Sequence, residues 1–343
     1  MTPDRFAAIA ARFPGLRVAI VGDICLDRYL EIDPARAETS IETGLPVHNV
    51  AAVRAQPGAA GTVLNNLAAL GAGTILPVGF CGDDGEGFEL RRALGALPGV
   101  RLDHFSATPL RRTFTYCKPL VMEPGRPPRE LNRLDSKNWT PTPAEVSDRI
   151  VASLEALRGT VDAVVVMDQV DAPETGVITA PVRAALAAFP AGIPVVADSR
   201  RGLRGYPPLI FKMNAAELAA LRGEPGPYAV EAARRAAADL ASRNGRPVVV
   251  TMAAEGLVGA EPGAEAVHVP ALPLRGPIDI VGAGDSVTAN LALALAAGAS
   301  LREALEIAAV ASSIVIHQLG TTGTRSEERR VGKECRTRGS PER

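Results

Sequence analysis

Aromatic residues are scarce in this chain: one tryptophan, four tyrosines and eight phenylalanines in 343 residues. Alanine, valine and leucine must therefore build the core. Surplus charge is absent too, with 37 lysines and arginines against 38 acids. No basic stripe stands out before the C-terminal segment, so a nucleic-acid partner is not expected. The four cysteines, at 25, 81, 117 and 335, match neither a zinc spacing nor a disulfide framework and read as reduced thiols. The four histidines, at 48, 104, 268 and 317, show no ligand spacing. No long apolar run free of turn residues suits a membrane span, and the N-terminus lacks a signal peptide's apolar core, so a cytoplasmic protein with no membrane partner is expected. Gly-x-x-x-x-Gly-Lys-Ser/Thr, His-Glu-x-x-His, Cys-x-x-Cys and Gly-x-Ser-x-Gly are all missing, as is a Gly-x-Gly-x-x-Gly after the first apolar run. These absences disfavour a P-loop, a zinc protease, a nucleophile elbow and a dinucleotide fold.

What is present alternates. Short apolar runs at Arg17–Val21, Thr74–Val78, Ala163–Met167, Pro194–Ala197, Leu209–Lys212 and Pro247–Thr251 read as buried parallel strands. Between them lie helical patterns over Thr62–Leu70, Gly87–Leu94, Pro143–Leu157, Ala180–Ala188, Ala215–Leu221 and Ala229–Arg243. The alternation predicts an α/β protein with a mostly parallel central sheet covered on both faces. Such sheets bind ligands at the carboxyl ends of their strands. Two segments, about 30–53 and 111–134, are richer in β-formers and polar residues. They predict antiparallel strands outside the main sheet, pairing as a small β lid. Residues 325–343 (RSEERRVGKECRTRGSPER) change character abruptly and have almost no apolar content. They are expected to be disordered and non-native, which leaves residues 1–324 as one domain.

The densest chemistry lies in Asp279-Ile-Val-Gly-Ala-Gly-Asp285-Ser, which is followed by an Ala/Leu-rich helical run. Glycines permit a tight turn, and a helix start offers unpaired N–H donors at the positive end of its dipole. That combination makes an anion site. A carboxylate placed inside it, Asp285, suits a proton acceptor beside a migrating phosphoryl group. Gly282, Ala283 and Gly284 supply amides for its oxygens.

Val-Gly-Ala-Gly-Asp-Ser at 281–286 resembles the C-terminal signature of the ribokinase-like (PfkB) sugar kinases. Three stretches agree in order: Gly22-Asp-Ile-Cys-Leu-Asp27, Pro57-Gly-Ala-Ala-Gly-Thr62 running on through Asn66, and Asn214-Ala-Ala-Glu217. The resemblance spans about residues 15–324. It implies a ribokinase-like three-layer α/β/α fold, transfer of the ATP γ-phosphate to a sugar hydroxyl, and Mg²⁺ as cofactor. By resemblance, Asp27 binds the acceptor from a loop behind the first strand, and Gly58, Ala59, Thr62 and Asn66 line the acceptor; Asp23 itself reads as a cap of the turn. Asn214 and Glu217 serve the magnesium and phosphate network through water. Thr251 and Gly256 contact the nucleotide. Cys81-Gly-Asp-Asp84-Gly85 resembles a structural turn of the family. Departures stand at Ala59 and Ala253, where glycine is usual, at Thr62 for asparagine, and at Val281, which replaces the hydroxyl residue of a monovalent-cation site marked by Asp279.

Within the family, Gly22 to Leu30, Glu42-Thr-Gly-Leu-Pro-Val-His48 and Leu131-Asn-Arg-Leu-Asp135 are similar to the heptose-7-phosphate kinases of the ADP-heptose pathway. This implies D-glycero-D-manno-heptose 7-phosphate as acceptor, with Arg133 at the acceptor or its phosphate, and a homodimer through lid strands. The nucleotidyl-transfer domain often fused in that subgroup is not expected. The alternatives are a non-catalytic sugar- or nucleotide-binding relative, or a kinase for another sugar or nucleoside on the same fold.

Overall fold

The computed structural model describes residues 1–318; the segment 325–343 lies outside them. The main sheet holds β1 (Arg17–Gly22), β6 (Thr74–Gly82), β7 (Phe105–Thr108), β11 (Ala163–Asp168), β12 (Val195–Ser199), β13 (Ile210–Asn214), β14 (Val248–Thr251), β15 (Leu257–Ala260) and β16 (Val267–Val269), in the order β16-β15-β14-β13-β12-β11-β1-β6-β7. From β7 to β14 every pairing is parallel, and β15 and β16 add antiparallel strands at one edge. A second sheet joins β2 (Ile24–Ile32), β5 (Val50–Ala59), β8 (Thr115–Val121), β9 (Arg129–Glu130) and β10 (Leu134–Ser136), and β3 (Glu38–Thr39) pairs with β4 (Pro46–Val47). The helices are α1 (Pro3–Ala10), α2 (Ala60–Leu70), α3 (Gly85–Gly95), α4 (Ala144–Leu157), α5 (Ala180–Leu186), α6 (Ala215–Arg222), α7 (Val230–Asn244), α8 (Ala283–Ala296) and α9 (Leu301–Ile316).

All six apolar runs are strands of the main sheet. Their alternation builds two cores, one on each face. On β1, Val18 and Ile20 belong to the core shared with α2, α8 and α9, whereas Ala19 and Val21 belong to the core shared with α4, α5 and α7. On β11, Ala163, Val165 and Met167 face the first layer and Val164 and Val166 the second. Each of the valine, isoleucine and methionine side chains among them, once buried, contributes about 1.5–3 kcal/mol. Helix α8 is buried continuously from Ser286 to Ala294. Its Ala/Leu run is therefore an inner helix rather than an amphipathic surface one.

The second sheet is larger than 30–53 and 111–134. It begins at Ile24 and continues through Ala59, so Asp27, Gly58 and Ala59 lie on its strands and not in a loop. Nor is it wholly antiparallel, because β2 runs parallel to β8 from Leu26↔Thr115 to Ile32↔Val121. The chain passes from β1 into β2 after only Asp23. Asp23 does not cap its own turn. Its carboxylate accepts from Gln169 N at 2.8 Å and Val177 N at 2.7 Å, tying the end of β1 to the loop after β11. Burial, with Asp168 close by, pushes it up to about 7. Asp84 holds the structural turn expected of it: it caps α3 through Gly87 N and takes two bonds from Thr113.

Ala59 and Ala253, two of the positions where glycine is usual, have positive φ, of 54° and 50°. The backbone has kept a glycine geometry under an alanine. At Ala59 ψ is −121°, outside the left-handed well that an L-residue tolerates. Strain of this kind costs about 1–3 kcal/mol, against about 0.5–1 kcal/mol for glycine's extra entropy. Ala59→Gly is expected to raise stability by about 1 kcal/mol, read as a higher urea midpoint at unchanged slope.

Candidate active site

The parallel strands end in a row of polar residues: Asp23 after β1, Asp168 on β11, Asp198 and Ser199 on β12, Asn214 on β13 and Thr251 on β14. The chain leaves β1 for β6 on one side and returns to β11 on the other. This is the topological switch where α/β sheets open a crevice. Two concavities of about 370 and 240 Å³ lie elsewhere, at the amino ends of the strands, lined by Arg17, Arg101 and His104 and by Phe189, Pro208 and Arg246 respectively. Neither gathers the polar residues of the carboxyl end.

Gly282 precedes α8 with φ 82°, a left-handed turn that favours glycine, and no side chain caps the helix. The amides of Gly284 and Asp285 thus have no acceptor within the helix. Ala283 differs from the expectation, since its amide donates to Ile280 O at 3.2 Å. Asp285 stands half-buried in this first turn. Burial pushes its carboxyl up to about 7; Lys212 opposes the rise and Asp198 adds to it.

Lys212 and Asp198 escaped the reading of the sequence. Lys212 is 6% exposed and its Nζ lies 2.6 Å from Asp198 Oδ2. A Cβ on Gly284 would stand 3.1 Å from that Nζ, so the ammonium sits beneath the opening turn of α8. Burial alone lowers a lysine; here Asp198, Asp285 and Glu217 outweigh it and hold Lys212 above its usual range. The available signal was a charged residue inside an apolar run, Leu209-Ile-Phe-Lys-Met213.

Asn214 and Glu217 form a reciprocal capping box on α6. Asn214 Oδ1 accepts from Ala216 N and Glu217 N, and Glu217 Oε2 accepts from Asn214 N at 2.7 Å. Burial raises Glu217, with Asp198 contributing. Asp198, Glu217 and Asp285 around one lysine make a surplus of negative charge, which suits a divalent cation. Among the described residues no three acid, histidine or cysteine side chains are placed to cage a metal directly. The donor set fits an ion held mainly by phosphates and water.

In the second sheet Asp27 is 5% exposed, and Lys118 Nζ lies 3.0 Å from its Oδ1. Gly58 lies diagonally across on β5, paired with Cys25, and a Cβ there would approach Asp27 Oδ2 to 2.5 Å. Thr62 and Asn66 are buried in α2, and the Asn66 amide donates to Thr62 O at 2.8 Å. Arg133 stands apart, half out in solvent against Asp135 and the ring of Tyr116. Thr251 ends β14 half-buried. Gly256 has φ 94°, and a Cβ there would meet Val269 O at 2.1 Å; packing against β16 accounts for this glycine without a ligand. The structure therefore brings Asp198, Asp285 and Glu217 within electrostatic reach of Lys212, with Asn214 tied to Glu217 through the capping box. It puts Asp27 and Gly58 together on the second sheet and leaves Arg133 at that sheet's far edge.

Residues 17–328 match the family described as pfkB family carbohydrate kinase. The bifunctional protein HldE of Azorhizobium caulinodans is 34% identical over 324 residues, covering 92% of this chain and 64% of its own length. That of Caulobacter vibrioides is 34% identical over 325 residues, covering 93% and 63%. The chain thus spans less than two-thirds of these relatives. Among solved structures, Arabidopsis thaliana ribokinase complexed with ribose and ATP has a TM-score of 0.63 at 22% identity, covering 90% of this chain and 94% of its own. Escherichia coli phosphofructokinase-2 in complex with fructose-6-phosphate has a TM-score of 0.65 at 17% identity, covering 90% and 96%. The fold is ribokinase-like, and the chain belongs to the pfkB family of carbohydrate kinases.

Proposed function

We propose that this chain is an ATP-dependent carbohydrate kinase. It transfers the γ-phosphate to a hydroxyl of a sugar phosphate, D-glycero-D-manno-heptose 7-phosphate being the acceptor that the HldE relatives favour. The observation that carries the reading is Asp285: a carboxyl pushed up to about 7, set in the uncapped first turn of a buried helix. A group poised near neutrality can accept a proton without holding it too tightly. Phosphoryl transfer is loose, so the acceptor hydroxyl loses its proton late, to Asp285, as its oxygen bonds to phosphorus. The amides of Gly284 and Asp285 and the ammonium of Lys212 stabilise the charge that grows on the transferring oxygens. Glu217 would hold a magnesium ion through water, and that ion would add neutralisation of the ATP phosphates. Asp27 and Gly58 orient the acceptor, and the second sheet acts as a lid that keeps water from the reaction. Thr251 borders the nucleotide.

The same reading puts the protein in the cytoplasm, where ATP is available; no helix among the described residues is long and apolar enough to cross a membrane. It also makes the protein a homodimer through the second sheet, whose exposed Val50, Val53 and Leu134 would be covered.

The test is an acceptor screen with ATP and Mg²⁺, read as ADP release. Turnover on the heptose 7-phosphate well above that on free ribose or fructose is expected. The reverse preference would move the chain to another branch of the family. Sugar binding by calorimetry without ADP release would support a non-catalytic relative instead.

A further inference from the structure

The second sheet carries a cationic cluster that phosphoryl transfer leaves unused. Gln56 on β5, Asp27 on β2, Tyr116 on β8 and Asp135 on β10 are successive register partners. Residues paired in this way share one face of the sheet, about 5 Å apart from strand to strand. Asp27 is one strand from Tyr116 and two from Asp135. The opposite face of β2 is closed off by α3, where Arg28 pairs with Glu89 at 2.8 Å.

Three cations converge on Tyr116. The Arg133 guanidinium lies 4.5 Å from the ring centroid and Lys137 Nζ 5.6 Å, while Arg200 Nη1 is 3.5 Å from the phenol oxygen. They come from two sides: Arg133 and Lys137 flank β10, whereas Arg200 directly follows β12 of the main sheet. Asp135 neutralises Arg133. Asp171 is shared, 2.7 Å from Lys137 but 3.5 Å from Arg200. Three cations against two carboxylates leave one positive charge over. Arg200 is the group with donors to spare, since its side chain is 52% exposed and its contact with Asp171 is long. A guanidinium fork and an ammonium around an open face suit a phosphate dianion.

Resting on the reading of the chain as a sugar-phosphate kinase, we propose that Arg200, Lys137 and Arg133, grouped around Tyr116, form the subsite for the phosphate the acceptor already carries. The hydroxyl-bearing ring lies toward Asp27, and the phosphate lies one to two strand spacings away. Asp171 holds Arg200 in place and releases it to the phosphate. Since Arg200 belongs to the main sheet's side of the cleft, an acceptor phosphate also ties the second sheet down, and an unphosphorylated sugar does not.

Steady-state kinetics of Arg200→Gln and Lys137→Gln with the heptose 7-phosphate test this. Both side chains are at least partly exposed, so the variants should fold, and a melting curve checks it. Loss of one charged hydrogen-bonding partner is expected to raise KM for the sugar phosphate about 10–100-fold, with kcat falling less than threefold. A merely structural strap between the sheets would instead lower the melting temperature and leave KM alone. KM within twofold of wild type in both variants overturns the subsite while leaving kinase function standing. If wild-type protein turns over free sugars but no sugar phosphate, the reading beneath it fails and the subsite falls with it; that result is seen before any variant is made.

Discussion

Asp285→Asn is expected to lower turnover on the true acceptor by about 10²–10⁴-fold while leaving the fold intact. Asparagine keeps the shape of the side chain and offers no basic oxygen for the acceptor's proton. The pH dependence sharpens the test. The wild-type carboxyl, pushed up to about 7, must be ionised to act, so kcat/KM of the wild type should fall about tenfold per pH unit below about 7. The residual activity of the variant should lack that limb. Stability moves the other way. A carboxyl whose folded pKa lies above its ordinary 3.8 binds its proton more tightly in the folded state. Its contribution is therefore favourable at low pH and is lost as pH rises through about 7. Removing the ionisable group should make the variant more stable than wild type at pH 8, by about 2 kcal/mol once partial exposure is allowed for, with the advantage gone near pH 4. Thermal melts across that range check it. A variant that is inactive and also less stable at pH 8 would mark Asp285 as structural and sink the assignment.

The parallel sheet could be read from the sequence because each strand is buried on both faces. A strand such as Ala163–Met167 then has no polar residue to blur it. The same physics hid β15 and β16, which are short, contain glycine and histidine, and lie at an edge. It also hid the beginning of the second sheet: Ile24 to Asp27 follow Gly22 so closely that one apolar run seemed to end and a loop to begin. Ala59 and Ala253 are departures from glycine in sequence only, because the backbone retains the positive φ there. Of the proposed site, the residues carried by contiguous motifs were nominated from the sequence, namely Asp285, Glu217, Asn214 and Asp27. Lys212, Asp198, Lys118 and Arg200 were not. Each meets its partner only through tertiary pairing: Lys212 with Asp198 across neighbouring strands, Lys118 with Asp27 across β8 and β2. No spacing along the chain announces such a contact. Gly256 shows the opposite case, because a glycine inside a motif invites a ligand while a crowded backbone, here Val269 O, already requires the glycine.

Lys212→Met is the second large effect, and it separates the cluster's two duties. The ammonium partners Asp198 at 2.6 Å, and both are buried. Removing one member leaves a carboxylate without its counter-charge, which typically costs about 3–5 kcal/mol. Lys212 also opposes the rise of Asp285. Without it that carboxyl climbs further, and the acid limb of kcat/KM shifts above about 7. Asp198 acts on Asp285 in the opposite sense and more weakly. The double variant Lys212→Met, Asp198→Asn should therefore regain most of the stability, since no orphaned charge remains at that pair. Its acid limb should fall between those of wild type and Lys212→Met. Turnover should not recover in step, because the cation beneath the opening turn of α8 is still missing and the transferring oxygens keep only amides and metal. Loss of one such preorganised donor costs about 10²–10³-fold in kcat. If the double variant recovered both stability and turnover, Lys212 would be a counter-ion to Asp198 and nothing more, and the anion cradle would rest on the helix terminus alone.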